Sequence, residues 1–198
     1  MFQNDFTGFV LVGGKSSRMG ADKFALKIGG GTFLERAVQT LKPVCETVKI
    51  VLSQTQNIKT DLEIIRDIYE NRGAPGGIHA AFSNCDTKFA VVLAVDLPLI
   101  TSDAFERLCT IAIDSEDFSA IVPRQKDNKI QPLAAVYRVD VCLPKVEEIL
   151  LKYESTSMRS FIETIETNFI EADSLSTDEN LFFNVNCPPD FEQIIKNH

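Results

Sequence analysis

Apolar, β-branched runs recur along the chain at short intervals: FTGFVLV, TVKIVLS, LEIIR, KFAVVLAV, SAIVP, LAAVY and NFIEA. Their lengths suit strands, and several lack a polar face, as strands do when helices cover both sides of a parallel sheet. Helical spacing fills the intervals. In TFLERAVQTL, Thr32 stands three residues before Glu35 as in a capping box, and Phe33, Leu34, Ala37, Val38 and Leu41 keep to one face. Ile78, Ala81, Phe82 and Cys85 repeat that spacing after Gly77, and Phe105, Leu108, Cys109 and Ala112 do so behind the Thr101-Ser102-Asp103 start. Further amphipathic segments carry Val146, Ile149, Leu150 and Tyr153, then Met158, Phe161, Ile162 and Ile165, then Phe191, Ile194 and Ile195 behind Pro188-Pro189. Strand and helix alternate almost to the end. The pattern predicts an α/β fold, a three-layer α/β/α sandwich with a mostly parallel sheet and right-handed crossovers, whose ligands sit beyond the carboxyl ends of the strands. The polar stretch 171–180 reads as a surface loop too short to divide two domains, and no repeat or linker interrupts the rest, so residues 1–198 are expected to form a single domain.

Composition narrows the possibilities. A chain of 198 residues, 44% of them hydrophobic, can bury a core without disulfides or structural metal. Cys45, Cys85, Cys109, Cys142 and Cys187 are odd in number and widely spaced, with no CxxC pair, and read as free thiols. The two histidines are His79 and His198, which leaves no material for a multi-histidine metal centre and argues against a histidine-dependent triad. His79 is expected on a helix surface. The apolar runs fall short of a membrane span, and MFQNDFTGFV has no basic region ahead of an apolar stretch, so a cytoplasmic protein without a membrane partner is expected. A net charge of −8 with no long Lys/Arg run argues against nucleic acid as a partner.

One stretch reverses the overall sign. LVGGKSSRMGADK, residues 11–23, follows the first apolar run and holds Lys15, Arg18 and Lys23 against Asp22 alone, 3 − 1 = +2. After a first strand, glycines let backbone N–H groups turn toward an anion, and phosphate is the natural guest. Neither GxxxxGK[ST] nor GxGxxG can be drawn through it. A second feature is VVLAVDLPLI, residues 91–100, where Asp96 interrupts an apolar run at what should be the carboxyl end of a central strand. One carboxylate there would suit Mg²⁺, a hard cation that keeps several waters while binding substrate phosphates; an acid that merely caps a turn would look the same. Asp67, after LEIIR, is a second acid on that rim. Together these features suggest a nucleotide with its metal.

These residues resemble a known family. LVGGKSSRMGADK, Asp67 after a strand, GAPGGI leading into a helix, VDLP, and NVNCPPDF are similar to the motifs of molybdenum cofactor guanylyltransferases, within the nucleotidyltransferases of Rossmann-like, nucleotide-diphospho-sugar transferase fold. The motifs run from residue 11 to residue 190, and the paired glycine of LVGG, QPLAAVY and NVN carry the narrower likeness. The resemblance implies transfer of GMP from GTP to the terminal phosphate of molybdenum-bearing molybdopterin, with release of pyrophosphate. It implies a GTP site of Leu11, Val12, Gly13, Gly14, Lys23, Ser53, Asp67 and Asp96. Ser53 takes the place where family members often carry Asn. Arg18, Lys23 and Asp96 are the implied catalytic residues, with Asp96 holding Mg²⁺. The implied acceptor site comprises Gln131, Pro132, Leu133, Arg159, Asn184 and Asn186, and cofactor-delivery and recipient molybdoenzyme proteins are the implied protein partners. The chain departs from the family pattern at Val12, in GAPGGI, and at Cys187 and Pro189; none of these removes a charge the chemistry needs.

Two other readings stay open at this point. One is a nucleotidyltransferase using CTP, or one acting on a sugar or alcohol phosphate; the other is a nonenzymatic GTP-binding regulator that kept the loop. A phosphate acceptor is already ionised and needs no strong general base, in keeping with so few histidines. The phenylalanines fall mostly at core spacing and read as packing.

Overall fold

The computed structural model describes residues 3–13, 23–69 and 71–197, the side chain of Asn197 excepted. Its strands are β1 (Phe6–Leu11), β2 (Lys27–Ile28), β3 (Gly31–Thr32), β4 (Thr47–Leu52), β5 (Ile64–Arg66), β6 (Phe89–Ala94), β7 (Ala120–Arg124), β8 (Ala134–Arg138) and β9 (Thr167–Glu171). Its helices are α1 (Phe33–Leu41), α2 (Gly73–Ser83), α3 (Ser102–Asp114), α4 (Val139–Lys152), α5 (Met158–Ile162), α6 (Ala172–Leu175) and α7 (Pro188–Asn197). Seven strands form one sheet in the order β5-β4-β1-β6-β8-β7-β9. β8 runs antiparallel to both of its neighbours, and every other pairing in that sheet is parallel.

Period-two alternation sorts the strand residues between two cores. Phe6, Val10, Phe89, Val91 and Leu93 point to one face, where they meet Phe33, Val38 and Leu41 of α1 and Phe105 and Leu108 of α3. Phe9, Leu11, Ala90 and Val92 point to the other, against Ile78 and Phe82 of α2, Val146 of α4 and Phe161 of α5. Three layers result, as the alternation of apolar runs predicts. Each large side chain fully buried in this way contributes about 1.5–3 kcal/mol. Helix α1 starts on the expected capping box: Glu35 N donates to Thr32 Oγ1 at 3.1 Å, and Thr32 N donates to Glu35 Oε2 at 2.7 Å. Its far end lies directly on the sheet. A Cβ added to Gly8 would stand 3.1 Å from Cys45 Sγ and 3.2 Å from Leu41, so that crossing needs a bare Cα.

Some features depart from the sequence reading. The small β2–β3 hairpin has strands of two residues each, too short for any periodicity to register. Helix α2 begins at Gly73, four residues ahead of Gly77, and takes GAPGG into its first turns, where Pro75 costs nothing because the first N–H groups of a helix are unbonded anyway. Helix α4 begins at Val139, seven residues ahead of Val146, and runs through Pro144, whose missing donor hid the early turns. Within 171–180 the chain forms α6 before it becomes loop. His79 is buried, 6% exposed, and not on a helix surface, because α2 is enclosed by the sheet on one side and α4 on another, with the Tyr69 ring edge-on at 4.8 Å. Burial holds its pKa below the ordinary 6.5, opposed by Glu147. The five thiols are free, and burial pushes those of Cys45, Cys109 and Cys142 up, which keeps them unreactive.

Candidate active site

Because β1, β4, β5, β6 and β7 all run one way, their carboxyl ends share one rim, and β8, running the other way, starts from it. Hydrogen bonds carry the ladder past the strand ends. Val12 N reaches Val51 O at 3.0 Å, Asp67 N reaches Leu52 O at 3.0 Å, Val95 N reaches Leu11 O at 3.0 Å and Ala94 N reaches Leu133 O at 2.7 Å. Val12, Asp67, Asp96 and Leu133 are thereby set along one edge in the order of the strands that bear them.

Asp96 stands at the middle. Lys23 Nζ lies 3.4 Å from Asp96 Oδ2 and donates to Asn186 Oδ1 at 2.9 Å, which brings together segments 73 and 163 residues apart. Val185 N donates to the main-chain oxygen of Asp96 at 2.9 Å, fixing the NVN segment against the acid. That segment is anchored from behind by Asp190 in the first turn of α7, whose Oδ2 accepts from Asn186 N at 2.8 Å and Cys187 N at 2.9 Å. The bonds from Cys187 and Asn186 hold the Asp190 carboxyl below the usual carboxylate range. Asp96 is pushed the other way. Its burial raises the carboxyl pKa, while Lys23 beside it and Lys129 in its surroundings pull it down. The Lys23 and Asp96 side chains are 18% and 22% exposed, open enough to meet a ligand and sheltered enough for charge to count.

On the β1 side, Leu11 and Val12 are buried and Gly13 is exposed. Ser53 gives both its N–H, at 3.3 Å, and its hydroxyl, at 3.1 Å, to Gln56 Oε1, and Gln56 Nε2 reaches Val12 O at 3.4 Å. Arg66 straps the same loop, donating to Ser53 O at 2.7 Å and Gln56 O at 2.6 Å. Asp67 accepts from Tyr69 N at 2.9 Å, and α2 comes so near that a Cβ on Gly76 would stand 2.8 Å and 2.9 Å from the two Asp67 carboxylate oxygens.

On the β8 side, Gln131 is buried and donates to Gln125 Oε1, while Tyr137 Oη donates to Pro132 O at 2.6 Å. Asn184 Oδ1 is buried without a hydrogen-bond partner among the described residues, so an incoming donor would satisfy it. Arg159 does not join this group: it sits on α5, 83% exposed, and pairs with Glu163 one turn on at 3.5 Å. Gly14 and Arg18 lie outside the described residues. The sequence reading passed over Gln56, Arg66, Gly76, Lys129 and Asp190. An acid three residues behind Cys187, in a Pro-Pro helix start, is a legible cap, so Asp190 could have been found; the contacts of Gln56 and Arg66 have no local pattern.

Among the described residues no three His, Cys, Asp or Glu side chains converge to form a metal cage. At the centre of the rim Asp96 offers a single desolvated carboxylate, which fits a cation that completes its shell with water and substrate oxygens and does not fit zinc or calcium in an all-protein cage.

The fold is a known one: the chain superposes on the crystal structure of molybdopterin-guanine dinucleotide biosynthesis protein A from Archaeoglobus fulgidus with a TM-score of 0.81, over 96% of this chain and 97% of that one, at 22% identity. In sequence, the family profile described as the MobA-like NTP transferase domain matches residues 8–169. A probable molybdenum cofactor guanylyltransferase of Geobacillus sp. (strain WCH70) is 32% identical over 97% of this chain and 99% of its own length. One of Clostridium perfringens (strain 13 / Type A) is 31% identical over 94% of each. The chain belongs to the MobA-like NTP transferase family.

Proposed function

We propose that this enzyme transfers the GMP unit of GTP to the terminal phosphate of molybdenum-bearing molybdopterin and releases pyrophosphate. The observation that carries the reading is the Lys23–Asp96–Asn186 cluster, a cation and a carboxylate 3.4 Å apart at the centre of the rim, in a chain whose relatives carry the guanylyltransferase name. In this reading each reactant has its own side of the sheet. Leu11, Val12, Gly13, Ser53 and Asp67, on the β1, β4 and β5 ends, take the nucleotide; Gln131, Pro132, Leu133, Asn184 and Asn186 take the acceptor.

An oxygen of the acceptor phosphate attacks the α-phosphorus of GTP. The new phosphoanhydride bond forms as the α–β bridging bond breaks, and the electron pair leaves with pyrophosphate. Both reactants are anions, so this chain's work is to neutralise and to align them. Lys23 supplies positive charge at the meeting point and is itself held in place by Asp96 and Asn186. Asn184 and Asn186 offer amide groups to the acceptor, with Asp190 fixing the backbone between them and α7. Asp67, pinned by Tyr69 N and crowded by Gly76, orients the nucleotide. Gly14 and Arg18 belong to the same phosphate-binding stretch by sequence. Asp96 would hold Mg²⁺, which when bound screens the phosphate oxygens and eases departure of pyrophosphate. Arg159 has no assigned step, given its pairing with Glu163.

The test is pyrophosphate release measured with GTP, CTP, ATP and UTP, each with Mg²⁺, against molybdenum-loaded molybdopterin and against sugar and alcohol phosphates. Release confined to GTP with the pterin supports the reading. Release with CTP or another acceptor replaces it by a different transferase, and GTP binding without release under any pairing leaves a nonenzymatic binder.

A further inference from the structure

The connection between β7 and β8 is a tight hairpin that rises on the acceptor side of the rim. Arg124 and Ile130 form its last bridge, Asn128 N bonds to Gln125 O at 2.8 Å, and Gln125 N bonds to Lys129 O at 2.9 Å. Asn128 takes a φ of 63°, and Lys129 N donates to Asp127 Oδ1 at 3.0 Å. A turn followed by one left-handed residue has a defined shape, so the residue after it leaves in a set direction. That residue is Lys129.

The cations of this hairpin are treated unequally. Arg124 pairs with Glu171, with Nε 3.0 Å from Oε1. Lys126 is held between Asp173 at 3.2 Å and Glu179 at 3.3 Å. Lys129 is exposed and has no ion pair among the described residues. In a chain of net charge −8, where carboxylates are abundant, a lysine kept free of them beside a site for anions is informative. The position is set by the sheet: β8 pairs with β6 from Leu93↔Ala134 down, and Ala94 N bonds to Leu133 O, so the hairpin stands next to Asp96 on the side away from β1.

We infer that Lys129 is a binding residue for the acceptor, its ammonium meeting the acceptor's phosphate across Asp96 from Lys23. This rests on the proposed function and adds to it the group that recognises the attacking anion. Lys23 and Lys129 then bracket the reacting phosphates from opposite sides, each from a different strand end. The nucleotide's own γ-phosphate is the competing anion, and the sheet order disfavours it, since Val12 and Gly13 follow β1, on the other side of β6 from the hairpin.

Steady-state pyrophosphate release on the whole chain separates these cases, with the pterin acceptor and GTP varied in turn. Lys129→Gln is expected to raise the acceptor KM about tenfold or more, the scale of a lost charge-assisted hydrogen bond, and to leave the GTP KM within about twofold. Lys129→Arg is expected to restore acceptor KM to within about threefold, and Lys126→Gln to change neither constant. An unchanged acceptor KM in Lys129→Gln overturns the inference while the proposed function stands, as does an equal rise in the KM of GTP. A wild-type protein that releases no pyrophosphate with this pair of substrates overturns the proposed function, and the inference with it.

Discussion

On the β5, β4 and β1 side of Asp96, neighbouring strands run the same way, and the rim is built from strand ends backed by a helix pressed close behind them. Asp67 sits against the bare Cα of Gly76, and the loop at Ser53 is strapped by Gln56 and Arg66. On the β8 and β7 side the chain doubles back, and the rim is built from a hairpin and from the NVN segment, secured by Asp190 and by Tyr137 to Pro132. On the proposed nucleotide side a close steric approach is added to hydrogen-bonded straps, while on the proposed acceptor side the anchors described are polar. Asp67 is both hydrogen-bonded to Tyr69 N and closed in by Gly76, whereas the NVN segment is loosened by removing the single acceptor Asp190. The two sides should therefore fail differently.

The largest effect is expected where the sides meet. Asp96→Ala should lower kcat by about 10²–10³-fold or more with either substrate saturating, the cost of removing an electrostatic element from a reacting centre. Circular dichroism and the melting temperature should stay near wild type, because the side chain is on the rim and not in a core. Full turnover would remove the metal role. Next, Gly76→Ala should force Asp67 aside and raise the KM for GTP about tenfold, leaving the KM for the acceptor alone, since small displacements of a positioning group are costly. A rise confined to the acceptor would reverse the division of the rim. Asp190→Ala is expected to act on the other half, raising the acceptor KM by about three- to tenfold as the NVN segment loosens, with GTP binding by calorimetry unaffected.

The smallest effect concerns stability on the nucleotide side. Burial depresses the pKa of His79 in the folded protein, so the unfolded chain takes up its proton first as pH falls below the ordinary 6.5. Its contribution is complete above that value and is lost on acidification. Replacement by Phe, which keeps a ring against Tyr69, should lessen the fall in melting temperature between pH 7 and pH 5. An identical slope in both proteins would mean that His79 takes up its proton equally in the folded and unfolded chain, Glu147 at 4.0 Å offsetting its burial.

Much of this molecule could be read from its residues because its sheet is covered on both faces. Runs such as FAVVLAV admit no polar position, and α1 announces its start with Thr32 and Glu35. Lys23 and Asp96 were legible as chemistry out of keeping with its setting: cations among glycines after a strand, an acid closing an apolar run. Other features depend on approach in three dimensions. His79 has a surface-like position on a helical wheel and becomes buried only because α4 packs over α2. Nothing local distinguishes Lys129 from Lys126; the difference is which carboxylates the tertiary fold brings to each. Arg159 enters only through the family resemblance, and its i,i+4 partner Glu163 pairs with it.

The reversed direction of β8 has an evolutionary side. Because it returns against β7, the chain delivers a hairpin to that end of the cleft where a parallel strand would have required a crossover helix. Hairpin tips can lengthen, shorten or change sequence without disturbing a packed layer, whereas the Gly76 approach tolerates almost no revision. On the proposed division of the rim, a hairpin tip grafted from a relative would change the second substrate's side and leave the Gly76 approach untouched, which makes loop grafting the natural way to redirect what this scaffold modifies.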